Sequence, residues 1–260
     1  MSRELIRPRR PKGWQGLICL LLAGTAMAQA PAKPRAPPEI EYGYPEQSIF
    51  VATTNAKGEA DSPMTNVAAA LMERVGLPWH AAPYPAARLF SNLQSGTTSF
   101  SILVRATSLE KCCVFSRQPI YSTDLNAYYL ADKPPVRNRD ELAGKTIIVI
   151  RGYSYAGFLK FIGDPANRIA AEVAGTHEAA FEMLRAGRAD YVLDYASAAG
   201  DILAANPVRN LLWSRIERLD IHMVLSRTYP EAETLMARLE AAARTLDIPK
   251  LLKRSRDTEK

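Results

Sequence analysis

Residues 140–163 read DELAGKTIIVIRGYSYAGFLKFIG, and residues 176–197 read THEAAFEMLRAGRADYVLDYAS. The uninterrupted β-branched run at 145–150 predicts a strand buried on both faces, as in a parallel sheet. A turn follows, and residues 155–162 continue with helical spacing. In the second segment Thr176 is a suitable N-cap for a helix that Gly187 ends, and residues 189–193 predict the next strand. This alternation of strands and helices is typical of an α/β fold.

Polar residues follow both predicted strands. Ser154 lies just beyond the first strand, and Asp194 ends the second. Ligands of open α/β sheets bind outside the carboxyl ends of the strands. Backbone N–H groups at the start of the helix that follows Ser154 would face the same space. The two segments therefore predict half of a small-molecule site.

The first 28 residues have the pattern of a secretory signal peptide. Five basic residues precede the apolar run at 17–23, and Ala26-Met27-Ala28 offers a small-x-small cleavage site. Arg9-Arg10 leaves twin-arginine export open as an alternative, and Cys19 leaves a lipoprotein signal open. We expect a periplasmic protein whose proline-rich residues 29–39 form a disordered spacer.

Composition excludes several classes of function. The net charge is +6, but the leader alone carries five basic residues and one acidic residue. No basic stripe interleaved with aromatics remains, so nucleic-acid binding is not predicted. The histidines and cysteines show no metal-ligand spacing, and we expect no cofactor. The adjacent Cys112 and Cys113 are either a strained vicinal disulfide or two small buried apolar side chains.

The remaining chain repeats the same alternation. Residues 48–53, 78–82 and 99–104 read as strands, with helices at 64–75 and 85–94 between them. Extended segments at 120–130 and 220–226 suit two crossings between lobes, and a last helix is predicted at 231–246. The prediction is an α/β fold of two lobes, each a small doubly wound sheet, that can close over a ligand. Lobe 1 is assigned to residues 40–125 and 222–260, and lobe 2 to residues 126–221.

Five short motifs together carry a family resemblance. They are PAAR at 85–88, SLEK at 108–111, DELAGK at 140–145, GYS at 152–154, and Leu184 with GRAD at 187–190 and Asp194. In this order and spacing the chain resembles the bacterial family 3 solute-binding proteins, the amino-acid type of periplasmic binding protein. The resemblance covers most of residues 40–255 and implies the type II periplasmic binding fold.

The resemblance also implies roles for residues of the second lobe. Asp194 matches the aspartate that receives a ligand α-ammonium, and Ser154 matches a hydroxyl that contacts the ligand carboxylate. Asp194→Ala is accordingly expected to abolish binding of an ammonium-bearing ligand. Four tyrosines are candidates for an aromatic wall of the site: Tyr42, Tyr44, Tyr153 and Tyr155.

The carboxylate clamp of the first lobe departs from the family pattern. Lys111 stands where the family has an arginine that pairs with the ligand carboxylate, and lysine lacks the bidentate fork. Arg88 and Arg105 are the alternatives for that role. Ser99 and Ala106 also replace polar residues of the family pattern. These departures weaken the expectation of an ordinary amino-acid ligand.

Three functions follow from these observations. The leading one is a monomeric, non-catalytic solute-binding protein that captures a small polar or amino-acid-like ligand and delivers it to the permease of an ABC-type transporter. The second is an accessory or sensor module with a protein partner. The third is an enzyme similar to cyclohexadienyl dehydratases, with Glu110 and Lys111 as its acid and electrostatic partner.

Overall fold

The structure is a computed structural model that describes residues 37–46, 53–54 and 60–252. The expected signal peptide, most of the expected spacer and nearly all of the strand predicted at 48–53 lie outside these residues. Within the described part of the chain, no helix combines the length and apolarity needed to cross a membrane.

The described residues contain strands and helices in alternation. The strands are β1 Ile40–Pro45, β2 Thr53–Thr54, β3 Ala60–Asp61, β4 Trp79–Tyr84, β5 Phe100–Val104, β6 Cys113–Phe115, β7 Tyr121–Leu130, β8 Thr146–Ile150, β9 Ala170–Ala174, β10 Tyr191–Tyr195 and β11 Leu211–Ser226. The helices are α1 Pro63–Val75, α2 Ala86–Ser95, α3 Phe158–Ile162, α4 His177–Arg185, α5 Ala196–Ala205, α6 Ala232–Ala243 and α7 Ile248–Leu251.

One hydrogen-bonded sheet runs in the order β4-β1-β5-β11-β7-β10-β8-β9, and β6 also pairs with β11. The pairs β1–β4, β1–β5, β8–β9 and β8–β10 are parallel, whereas β7 and β11 pair antiparallel with their neighbours. Residues 221–225 of β11 pair with β5, and residues 211–221 pair with β7. Long strands therefore connect two parallel half-sheets. The sequence predicts the half-sheets and the extended crossings at 120–130 and 220–226, but not that β11 runs without a break from Leu211 to Ser226.

Separate hydrophobic cores lie on the two half-sheets. Around the half with β1 and β5, buried residues such as Leu71, Phe100 and Leu239 pack together. Around the half with β8 and β10, two further clusters centre on Ile147 and Ile148, which point to opposite faces. We call these halves the first and second lobe. The two-lobe α/β prediction is confirmed, while the assigned lobe limits stay a prediction.

Local signals place several elements correctly. Thr176 caps α4 by accepting a hydrogen bond from the backbone N–H of Ala179 at 3.1 Å. The helix predicted at 64–75 is α1, which ends at Gly76 with a φ of 67°, a conformation that glycine adopts without steric cost. The run at 145–150 forms β8, whose residues 147–150 are all buried. These predictions are confirmed.

The helix predicted at 155–162 is wrong in its first turn. Tyr155 and Ala156 have φ values of 47° and 56°, and the α-helix begins only at Phe158. The Tyr155 hydroxyl accepts a hydrogen bond from the backbone N–H of Ile150 at 2.8 Å and donates one to the carbonyl of Leu193 at 3.1 Å. Tyr155 makes these two buried hydrogen bonds in a left-handed backbone conformation. Because this conformation is not helical, it interrupts the predicted helix.

Candidate functional site

A cavity of about 80 Å³ lies between the two lobes. Its wall contains aromatic rings and hydroxyl groups from both: Tyr42, Tyr44 and Tyr121 on one side, and Tyr153, Tyr195 and Ser197 on the other, with Thr123 on the connecting strand β7. Apolar residues complete the lining: Pro45, Met64, Ile102, Leu103, Val104, Ala198 and Ile221. Among the described residues, the lining includes no arginine, lysine, aspartate or glutamate.

Tyrosine rings of the second lobe pack edge to face. The ring centroid of Tyr195 lies 5.5 Å from those of both Tyr153 and Tyr155. In the first lobe, the Tyr42 and Tyr44 centroids are 5.8 Å apart. Burial raises the pKa values of Tyr42 and Tyr195, so these hydroxyls remain neutral. The cavity therefore offers ring surfaces and uncharged hydrogen-bonding groups.

Asp194 is fully buried beside this cavity, and neighbouring groups satisfy both of its oxygens. Its Oδ2 lies 2.7 Å from Nδ1 of His177, and its Oδ1 accepts the backbone N–H of Tyr195 at 2.8 Å. His177 is itself only 2% exposed. Since the lining of the cavity does not include Asp194, a direct contact with a ligand ammonium would require this pair to open.

His177 connects Asp194 to the cavity wall. Its Nε2 lies 3.3 Å from the hydroxyl of Tyr153, whose ring lines the cavity. If Nδ1 carries the proton shared with Asp194, Nε2 of a neutral imidazole accepts from Tyr153. The Tyr153 hydroxyl is then the donor of this pair, in a residue that lines the cavity. The chain Asp194–His177–Tyr153 thus orients one polar group of the wall.

The burial of Asp194 makes stability depend on pH. Desolvation raises the pKa of Asp194 above 3.8, against the lowering effects of His177 and the Tyr195 N–H. Proton binding to Asp194 stabilises the folded chain fully at pH values below the pKa of Asp194 in the unfolded chain. This stabilisation is lost as the pH rises through the higher pKa of Asp194 in the folded chain. We expect the free energy of unfolding of the wild type, relative to Asp194→Asn, to fall as pH rises through this window. Urea titrations at several pH values measure this difference, and an increase with pH would contradict it.

Ser154 lines a smaller adjoining cavity of about 60 Å³, together with Gly152 and Phe90. Its hydroxyl caps no helix. Its carbonyl accepts from the backbone N–H of Gly157 at 2.9 Å, closing the short turn before α3. A contact of the Ser154 hydroxyl with a ligand stays a prediction, but the expected helix start behind it is absent.

The helix that does begin at the cavity is α5. Ser197 and Ala198 in its first turn line the wall, and the Ser197 Oγ lies 3.1 Å from Oγ1 of Thr123. Backbone N–H groups of a first helical turn have no partner within the helix, so they add hydrogen-bond donors at this end. The sequence pattern indicates neither α5 nor these two hydroxyls.

The predicted basic residues are exposed and line neither cavity. Lys111 is exposed in the turn before β6, and Arg88 is exposed on α2. Arg105 is exposed as well. It pairs with Glu110 at 3.2 Å and lies 5.1 Å from the ring centroid of Phe115. The lining of neither cavity includes any of these three residues. Their roles in carboxylate binding stay predictions. To bind a ligand in either cavity, these side chains would have to move from their present positions.

The lobes approach each other closely at Gly152. A Cβ atom added there would lie 3.0 Å from the Cβ of Ala86 and 3.6 Å from the backbone nitrogen of Ala87, at the start of α2 in the first lobe. The φ of Gly152 is +81°, a conformation that side chains disfavour. The absence of a side chain at this position lets the lobes meet beside the cavity.

The described residues hold no group of three or more histidine, cysteine or acidic side chains that could bind a metal ion. A search of protein-family models finds no match to the sequence, and a search of curated proteins finds none either. Similar folds do occur among solved structures.

Three solved structures illustrate this likeness. The substrate-binding protein of an amino acid ABC transporter is 16% identical over 83% of this chain and 97% of its own, with a TM-score of 0.65. A histidine kinase sensor domain with similarity to periplasmic binding proteins is 18% identical over 82% and 93%, with a TM-score of 0.69. The GluR0 ligand-binding core in complex with L-glutamate is 15% identical over 85% and 97%, with a TM-score of 0.67. These likenesses establish the two-lobe fold of periplasmic binding proteins and fit the family 3 resemblance.

Proposed function

We propose that this protein is a non-catalytic solute-binding protein that captures a small organic molecule between its lobes. The proposal rests on the cavity between the lobes, which is lined by tyrosines of both lobes. A ligand held there contacts both halves at once, so it stabilises the closed arrangement through differential affinity.

The lining favours a solute with a polar but uncharged contact surface. Buried charges need a partner, and the described lining supplies hydroxyls and rings instead. Amino-acid-like solutes remain candidates, with their charged groups directed to the rim or to a rearranged Asp194. Export to the periplasm and delivery to an ABC-type permease complete the proposal, and the similar fold of a transporter's substrate-binding protein supports it.

A sensor or accessory role is the second candidate. A histidine kinase sensor domain has the same fold, and the departures at Lys111, Ser99 and Ala106 separate this chain from the amino-acid pattern. Permease and ATPase genes beside the coding sequence would favour transport over sensing. A dehydratase-like activity receives less support, because Glu110 pairs with Arg105 at 3.2 Å and does not line the cavity.

A thermal-shift screen tests the proposal. We expect neutral aromatic or hydroxylated solutes to stabilise the protein more than dicarboxylates do. At a hundredfold excess over Kd, a ligand stabilises by about 2.7 kcal/mol, which corresponds to roughly 5–10 °C in Tm for a chain of this size. The absence of any response to uncharged solutes, with a clear response to charged amino acids, would contradict the proposed ligand class.

A hydroxyl deletion tests the position of the site. Tyr153→Phe removes one polar group of the wall and is expected to weaken binding of the best solute roughly tenfold. Tyr191→Phe is the matched control, because its hydroxyl donates to the carbonyl of Pro134 at 2.8 Å and lines neither of the two cavities. Calorimetry that finds equal affinities for both variants would place the ligand elsewhere.

A further inference from the structure

Cys112, in the turn before β6, and Cys113, the first residue of β6, form a close sulfur pair. Their Sγ atoms are 3.0 Å apart, about 1 Å more than the length of a disulfide bond, about 2.05 Å. Around them lie Leu89, Leu93 and Leu109, so the pair sits beneath α2 in the first lobe. We propose that Cys112 and Cys113 are a redox site that closes reversibly into a vicinal disulfide.

The covalent geometry of neighbours makes such a bond reversible. Consecutive Cα atoms are about 3.8 Å apart, below the range of about 4.4–6.8 Å that most disulfides span. Strain of this kind makes a disulfide easier to reduce, and strained bonds are the labile or regulatory ones. A bond between Cys112 and Cys113 is therefore a switch rather than a permanent crosslink.

The two thiols differ in access, which sets the order of reaction. Cys112 is half-buried, whereas Cys113 is 1% exposed and its pKa is raised by burial. The Cys112 thiolate attacks a low-molecular-weight disulfide, which forms a mixed disulfide and releases one thiol. Cys113 then loses its proton and attacks the Sγ of Cys112, which releases the second thiol. The protein loses two hydrogen atoms, and the small disulfide is reduced to two thiols.

Oxidation would change contacts at the base of α2. In the thiol form, Cys112 donates to the carbonyl of Leu109 at 3.3 Å, and Cys113 donates weakly to the carbonyl of Leu93 at 3.8 Å. Both S–H donors disappear in the disulfide. The switch thus acts on the turn that holds Lys111 and on the C-terminal part of α2, whose first turn contacts Gly152.

Oxidised glutathione is the probe that tests this site. The full chain carrying Cys19→Ser, which removes the third cysteine, is first reduced and then incubated with oxidised glutathione. We expect mass spectrometry without reductant to show the loss of two hydrogen atoms and thiol titration to fall from two groups to none. Dithiothreitol should restore both. A stable glutathione adduct, a disulfide-linked dimer or unchanged thiols would overturn the proposal.

Single substitutions test the order of reaction. Cys113→Ser leaves the accessible thiol without its resolving partner, so we expect a stable glutathione adduct on Cys112. Cys112→Ser leaves only the buried thiol and should react at least tenfold more slowly. The reverse order of rates would overturn the assignment of Cys112 as the attacking thiol. This test does not depend on the identity of the solute bound between the lobes.

Discussion

Asp194→Ala is expected to lower the free energy of unfolding by about 3–5 kcal/mol, because removing one member of a buried pair leaves the other unsatisfied. The substitution deletes the acceptor of His177 Nδ1 at 2.7 Å and that of the Tyr195 N–H at 2.8 Å. For a chain of this size the loss corresponds to roughly 10 °C in Tm, measured by calorimetry or urea titration.

Asp190→Ala is the matched control on the same segment. Asp190 accepts from Lys133 Nζ at 2.7 Å and from the Thr146 N–H at 3.0 Å, but its side chain is 28% exposed. Water replaces much of that interaction, so we expect a loss of about 1 kcal/mol. If both alanine variants lose the same free energy of unfolding, burial of the Asp194–His177 pair does not increase its contribution to stability.

Gly152→Leu is expected to hold the lobes apart and weaken solute binding about 10- to 100-fold, the equivalent of about 1–3 kcal/mol of overpacking. An added Cβ already lies 3.0 Å from the Cβ of Ala86 at the start of α2, and the further atoms of a leucine side chain add to this overlap. Small-angle scattering should show a larger radius of gyration, and calorimetry should show the lower affinity.

Gly144→Leu separates closure from backbone strain. Gly144 lies in the second lobe with a φ of +72°, close to that of Gly152, and apart from its chain neighbours no described residue has an atom within 4 Å of an added Cβ. This variant should lose comparable stability from the unfavourable φ while retaining affinity and dimensions. An equal drop in affinity for both variants would rule out the interlobe contact as the cause.

The sequence predicts most of the fold where one local signal dominates. The buried run of β8 and the caps at Thr176 and Gly76 belong to this class. Helix α5 escapes prediction because its sequence ASAAGDILAA is mostly small and apolar, and Ser197 and Asp201 alone are too few to mark a polar face with a helical period. Strand β11 is predicted only at 220–226, because the charged residues around Ile216 interrupt the apolar pattern in the partly exposed first part of the strand.

The candidate site is harder to predict than the fold. The position of Asp194 on β10 indicates that the residue lies near the space between the lobes. It does not indicate which neighbouring groups bind its carboxylate. His177 is 17 residues away and becomes its partner only because α4 packs beside β10. Successive residues of a strand point to opposite faces, so Asp194 and Tyr195 cannot both face the cavity. This alternation is the sequence signal that favours Tyr195 as the lining residue.

Because β11 pairs with strands of both lobes, its position late in the chain affects the order in which the two lobes fold. The first lobe's β5 pairs with residues 221–225, so its sheet stays incomplete until residue 225 has emerged. Strands β7, β8, β9 and β10 of the second lobe are consecutive and need no such wait. The N-terminal third of the molecule is thus made first but completed last, and its unpaired strand edge is the segment that a chaperone would have to shield.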